Sequence, residues 1–252
     1  MRILDKLRFK NACDKIINEG RKKNGIGTLG EKTLHAVLKN YFEPYGDNHE
    51  IKIGNYVADI VGENGVIEIQ TRNFNKLLKK LESFLEFCDV TVVYPLPAIK
   101  YLRWLDTSTG ELSERRRSPH KASAYECFTE LYKIKYTLDN PRFHLCLCML
   151  EVEDIRYLNG WSKDKKRGSS RCDRIPLDLM DEIHIDTVSD FKIFVPDTLP
   201  ETFTSADYSI CCKISRGLSQ TALNILTYLE IVVRTGKQGR NIVYTRNKKF
   251  FE

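Results

Sequence analysis

Asp59, Glu68 and Gln70 are the residues whose types and spacing point most directly to chemistry. They lie in two short apolar runs, Val57-Ala58-Asp59-Ile60-Val61 and Val66-Ile67-Glu68-Ile69-Gln70, separated by Gly62-Glu63-Asn64-Gly65. Gly and Asn accept the positive φ of tight turns, so the segment reads as a β-hairpin. In regular register Val61 faces Val66, Asp59 faces Glu68 and Val57 faces Gln70. Alternation then sends Asp59, Glu68 and Gln70 to one side and Ala58, Ile60, Ile67 and Ile69 to the other. Two carboxylates facing each other among aliphatic neighbours repel and lose hydration. A hard divalent cation such as Mg²⁺ would offset both costs through oxygen ligands. The plainer alternative is a solvated hairpin face with no chemical role.

The elements around this hairpin must position any third group. Residues 1–23 read as an amphipathic helix built on Leu4, Leu7, Ala12, Ile16 and Ile17, ended by Asn24-Gly25-Ile26-Gly27. A second helix is expected over 28–43, stopped by Pro44 and Gly46. Glu31 precedes Leu34 by three and Leu38 by seven, which puts it on the face that packs against the sheet. It also stands third after Thr28, where it would close a capping box and need face no metal. His35, beside Leu34, reads as a packed or surface residue. A strand over 49–54, a strong helix over 74–88 and a buried strand over 90–94 complete the pattern. Helix, strands, helix, strand implies an α/β or α+β sandwich around a mixed sheet.

Beyond Pro95 and Pro97 a hairpin is expected from 99–105 and 111–115, then a helix over 122–134 and a strand over 143–152 that rejoins the sheet. Residues 159–174 are polar and read as a basic linker. Residues 177–183 read as a short helix, 205–214 as a second and 219–229 as a third, with Arg216-Gly217-Leu218 as the turn. Ala222, Leu223, Leu226 and Leu229 form the buried stripe of the last helix. A basic hairpin over 231–244 follows. Helix, turn, helix, hairpin is the order of a winged helix-turn-helix. Gln220, Thr221, Asn224 and Thr227 would face a groove, and Arg234, Lys237 and Arg240 would meet phosphate. A winged helix that serves protein interaction is the competing reading. Three segments result: 1–158, a linker at 159–174, and 175–252.

Composition narrows the partner class. The chain has 252 residues, 42% of them hydrophobic, and a net charge of +6. Arg234, Lys237, Arg240, Arg246, Lys248 and Lys249 form one basic run without acids. Lys163, Lys165, Lys166, Arg167, Arg171 and Arg174 form another, against Asp164 and Asp173. Such runs are solvated surface or phosphate-binding surface. No apolar run is long enough for a membrane helix, and the first residues carry no apolar leader, so a cytoplasmic protein is expected. The eight cysteines include no C-x-x-C pair, so Cys146 and Cys148 read as small apolar core residues.

Residues 26–95 resemble the PD-(D/E)XK nuclease superfamily, whose restriction-endonuclease-like core carries a Glu on a helix, then D…(D/E)-x-K on a strand hairpin. The match is Glu31, Asp59 and Glu68-Ile69-Gln70, with Ala58 in place of the motif's proline and Gln70 in place of its lysine. The resemblance implies metal-assisted hydrolysis of DNA phosphodiester bonds. Asp59, Glu68 and Glu31 would hold Mg²⁺ or Mn²⁺, and Gln70 would position the attacking water. Arg72, on the same side if the strand continues, would supply the missing positive charge, although its pKa is too high for a base. RNA is an alternative substrate, and a homodimer would suit cleavage of both strands. A DNA-binding regulator that kept the fold but lost cleavage, and a scaffold with neither activity, are the competing classes.

Overall fold

A computed structural model describes residues 4–18, 32–159 and 170–251. The first described helix is α1, Lys6–Cys13, capped by the Asp5 carboxylate on the Arg8 amide. Helix α2 covers Thr33–Phe42, with Leu34 and Leu38 buried as the spacing predicts. Thr28 and Glu31, the expected capping box, lie outside the described residues. The first-turn amide and hydroxyl of Thr33 instead donate to Asp173, at 3.3 and 2.5 Å. A carboxylate at this end satisfies orphan amides and complements the helix dipole.

Strands β1 (His49–Ile53), β2 (Tyr56–Gly62) and β3 (Gly65–Ile69) follow. Helix α3 (Leu78–Leu85) then leads to β4 (Val90–Leu105), which runs parallel to β3 with Glu68 beside Val92. Parallel neighbours need such a crossover. Gly65 begins β3 at φ +101°, and a Cβ there would stand 2.3 Å from the Asp89 carbonyl oxygen. No larger residue fits that turn without moving the backbone.

The expected break at Pro95 and Pro97 is absent: β4 continues through both. Gln70 donates to the Val93 carbonyl, and Val90 donates to Arg142 on the other side. In the first part of β4 the odd-numbered residues therefore face β3, which ends at Ile69 opposite Val93. The missing amides of Pro95 and Pro97 point where no strand needs them. Strand β5 (Arg116–Arg117) pairs with Tyr101 and Leu102, so the return of this hairpin lies just beyond the expected 111–115.

Helix α4 (Cys127–Leu131) sits between two 3₁₀ turns. Strand β6 (Phe143–Tyr157) is longer than expected and buries Cys146 and Cys148 completely. Strand β7 covers Arg171–Ile185. This corrects two expectations: 171–174 belong to a strand rather than to a linker, and 177–183 are extended rather than helical. Apolar Leu177 and Met180 are both 40% exposed on β7, so the run lacks the alternation that marks a strand. The expected linker's remaining residues, 160–169, lie outside the described residues. Among the described residues these strands form a mixed sheet in the order β1-β2-β3-β4-β6-β7, with β5 on β4.

Strand β8 (Thr202–Thr204), helix α5 (Ser205–Cys211), helix α6 (Arg216–Tyr228), strands β9 (Val232–Gln238) and β10 (Asn241–Arg246) and helix α7 (Lys248–Phe251) end the chain. Thr204 and Asp207 form a capping box on α5. Ser215 caps α6, so Arg216-Gly217-Leu218 is its first turn rather than the expected connection. The second sheet has the order β8-β10-β9.

The chain divides into two compact units. One holds 1–62, 95–123 and 148–183, and the other holds 63–94, 124–147 and 184–252. In the first, Ala58, Ile60, Leu38 and Ile155 are fully buried; in the second, Phe74, Leu81, Phe84 and Phe128 are.

Candidate functional site

Asp59 stands near the middle of β2, between the fully buried Ala58 and Ile60, so alternation turns its side chain to the opposite side of the strand. Helix α2 brings His35 to it: Nε2 lies 3.2 Å from Asp59 Oδ2, and both side chains are about three-quarters buried. His35 is therefore a partner of the candidate acid, not a bystander of the helix face. The same helix buries Lys39 with its ammonium 2.8 Å from Glu50.

Glu68 lies in the second unit, 3% exposed on β3. Helix α3 packs Leu81, Phe84 and Leu85, and the same packing lays Lys80 over the strand. The Lys80 ammonium donates to Glu68 Oε2 at 2.5 Å and lies 5.8 Å from the Phe84 ring centre. Sequence reasoning missed Lys80. The signal was present, because the crossover helix between parallel β3 and β4 must cover a face of those strands, and Lys80 adjoins its buried stripe.

Gln70 and Arg72 depart from expectation. Strand β3 ends at Ile69, and the Gln70 side-chain amide donates to the Arg72 carbonyl at 2.5 Å. Asn73 then takes a left-handed conformation at φ 60°, and its carbonyl accepts from the Lys76 amide. The chain bends away, and Arg72 is exposed instead of extending the strand. The cation beside Glu68 is Lys80, not Arg72. Glu31, the third expected ligand, lies outside the described residues.

In the C-terminal part, Gln220 is exposed on α6 and Thr221 donates to the Gly217 carbonyl at 3.0 Å. Asn224 does not face open space: its Oδ1 accepts from Lys135 at 3.2 Å. Lys135 also lies 4.8 Å from the Tyr136 ring and 5.3 Å from Tyr228, whose hydroxyl donates to Asp139. Thr227 Oγ1 is buried without a hydrogen-bond partner among the described residues, so it faces no groove either. Arg234, Lys237 and Arg240 are exposed on the β9–β10 hairpin. Lys237 pairs with Ile242 inside the ladder, and the turn is confined to Gly239 and Arg240.

Two chemical facts stand out. The two described acids, Asp59 and Glu68, each meet a basic side chain, and the basic hairpin exposes Arg234, Lys237 and Arg240 while burying Val232 and Tyr244. Among the described residues no helix is long and apolar enough to cross a membrane.

Comparison with known proteins adds kinship without activity. Over 147 residues the chain is 31% identical to an uncharacterized protein of Treponema pallidum (strain Nichols), a stretch covering 58% of this chain and 56% of that protein. The chain thus spans little more than half of that relative's length. No solved structure matches it. Residues 32–186, which include His35, Asp59, Glu68 and Lys80, match the family described as Domain of unknown function (DUF8091), and the chain belongs to that family.

Proposed function

We propose that the chain is a divalent-metal-dependent hydrolase of phosphodiester bonds in DNA, with a restriction-endonuclease-like body and a winged helix that engages the duplex. Glu68 carries the reading. A carboxylate kept buried on a strand costs stability unless it is paired or used. The crossover helix sets a lysine on it, so a buried acid and a cation stand together at β3, which supports the reading. The order β8-β10-β9, with two helices between β8 and β9 and the exposed Arg234, Lys237 and Arg240, supports the second part.

Asp59 and Glu68 offer hard carboxylate oxygens, the donor chemistry that Mg²⁺ or Mn²⁺ takes. His35 and Lys80 already touch these oxygens, so a cation would share each acid with a basic neighbour. When bound, the metal would supply Lewis acidity at the phosphate and a more acidic water. The chain's own groups do the rest. His35 orients Asp59, and Lys80 orients Glu68 and offsets charge developing on the phosphate. Gln70 is a positioning residue whose amide must leave the Arg72 carbonyl to reach a water.

Nicking of supercoiled plasmid in Mg²⁺ tests this directly. Glu68→Ala and Asp59→Ala should each abolish nicking, and Lys80→Met should lower it at least a hundredfold, the scale of one lost charge-stabilising group. A matched RNA substrate separates the two nucleic acids. The pairing of both acids favours one second reading, a DNA-binding regulator without cleavage. Salt-sensitive duplex binding with no nicking in Mg²⁺ or Mn²⁺ would select it.

A further inference from the structure

A second cluster of charges, wholly within the first unit, is used by none of this. Asp154 on β6 is fully buried. Arg174 on β7 grips it with two bonds, Nε to Oδ1 at 2.5 Å and Nη2 to Oδ2 at 3.0 Å. Arg156, two residues along β6, brings Nη2 to 3.9 Å from the same carboxylate. Arg171 Nε approaches at 3.7 Å. Lys100 on β4 feels the same group. Its amine is depressed from the usual lysine range, first by burial and then by Arg174, Arg156 and Arg171, with Asp154 opposing them.

The balance of charge is uneven. Arg156, Arg171 and Arg174 bring three positive charges to one carboxylate, an excess of two. Among the described residues the neighbouring acids are turned elsewhere. Glu151 and Glu153 alternate to the other side of β6 from Asp154 and Arg156, where Arg115 approaches them at 3.6 and 3.4 Å. Asp173 alternates to the other side of β7 from Arg174, where it accepts from Thr33. One donor is also left over: Arg156 Nε is buried with no hydrogen-bond partner among the described residues. A buried orphan donor beside excess positive charge is costly unless an anion satisfies both. The cluster can be reached, since the Arg156 and Arg171 side chains keep 29% and 36% of their exposure.

We propose that Arg156, Arg171 and Arg174 form an oxyanion site for a phosphomonoester. A phosphomonoester carries about −1.5 to −2 charges near pH 7, which matches the excess better than a singly charged diester does. Guanidinium groups suit its oxygens through paired, charge-assisted bonds. Asp154 is the built-in counter-ion that holds the Arg174 fork fixed before the ligand arrives. Free phosphate, a mononucleotide and the phosphorylated end of an oligonucleotide share this chemistry. The site stands whether or not the chain cleaves phosphodiester bonds.

Calorimetric titration of the full chain with inorganic phosphate tests it. Saturable binding is expected, weakened at least tenfold by Arg156→Gln and by Arg171→Gln, the worth of one hydrogen bond to a charged group. Unchanged melting of these variants without phosphate shows that they fold. Should Arg156→Gln not fold, Arg171→Gln alone decides. Paired oligonucleotides with and without a 5′ phosphate identify the source. Preference for the phosphorylated one, lost in Arg171→Gln, assigns the site to strand ends. Phosphate binding without that preference assigns it to small phosphates. Absence of saturable phosphate binding, or binding untouched by both substitutions, overturns the proposal.

Discussion

Glu68 and Asp154 are two carboxylates taken almost completely out of water, each within its own unit, and the chain treats them differently. Glu68 meets the Lys80 ammonium at 2.5 Å. Asp154 meets a guanidinium fork and lies within 4 Å of two further arginines. The first pairs its acid with the ammonium of a flexible lysine. The second is over-compensated, and its acid is fixed by a planar group that cannot lose its proton. Chemistry that needs an available carboxylate suits the first, whereas recognition of an anion suits the second. A buried charge is thus no single signal: the number and kind of its partners decide what it can do.

The sharpest way to break this contrast is Asp154→Ala. It would leave Arg174 buried without its acid beside two other arginines, and breaking such a pair costs about 3–5 kcal/mol. Urea unfolding at neutral pH should show that loss. The same pair sets an acid limb. Burial alone would raise the Asp154 pKa, but Arg174, through hydrogen bonding and charge, with Arg171 and Lys100, holds it below the usual 3.8. A depressed carboxylate stabilises the fold fully above its unfolded pKa and loses that contribution as pH falls toward the folded one. Wild-type stability should therefore decline below about pH 4, while Asp154→Ala, lacking the group, should show a flatter limb. An equally steep limb in the variant would show that other acids control it.

Lys80→Met probes the weaker member of the comparison. Lys80 keeps 17% of its side-chain exposure, so loss of the pair is partly relieved by solvent, and about 2 kcal/mol is expected. Adding Glu68→Gln should recover much of that cost, since the buried charge disappears with it. A double-mutant cycle in urea measures the coupling. Additive single effects would mean that the two groups hold each other less than their distance implies.

How these two clusters arise explains what could be read from the chain and what could not. The β2–β3 hairpin was legible because Gly62-Glu63-Asn64-Gly65 separates two alternating runs, and the α6 stripe because Ala222, Leu223, Leu226 and Leu229 repeat at helical spacing. Both signals are local. Lys80 and His35 became partners of acids through packing of α3 and α2, which one helix's spacing does not specify. Strand β7 hid behind the exposed Leu177 and Met180, and β4 behind two prolines whose missing amides matter only once the end of β3 is known. The anion cluster draws Arg156 from β6 and Arg171 and Arg174 from β7. Only the basic character of 163–174 hinted at it, and Arg171 and Arg174 alone of that run's basic residues lie in the described structure.

The smallest expected effect concerns the β9–β10 hairpin, where Arg234, Lys237 and Arg240 are exposed and, among the described residues, no buried acid pairs with them. Lys237→Gln and Arg240→Gln should leave urea stability within about 0.5 kcal/mol of wild type, the range of surface changes that break no packing. If the hairpin lies along a phosphate backbone, each substitution should weaken duplex binding evenly across sequences and lower the slope of log affinity against log salt by about one. Unchanged slopes would place the duplex contact elsewhere. The contrast with Asp154 would still hold, because fully solvated cations contribute through long-range attraction that salt screens, whereas the buried cluster acts through fixed geometry that salt reaches poorly.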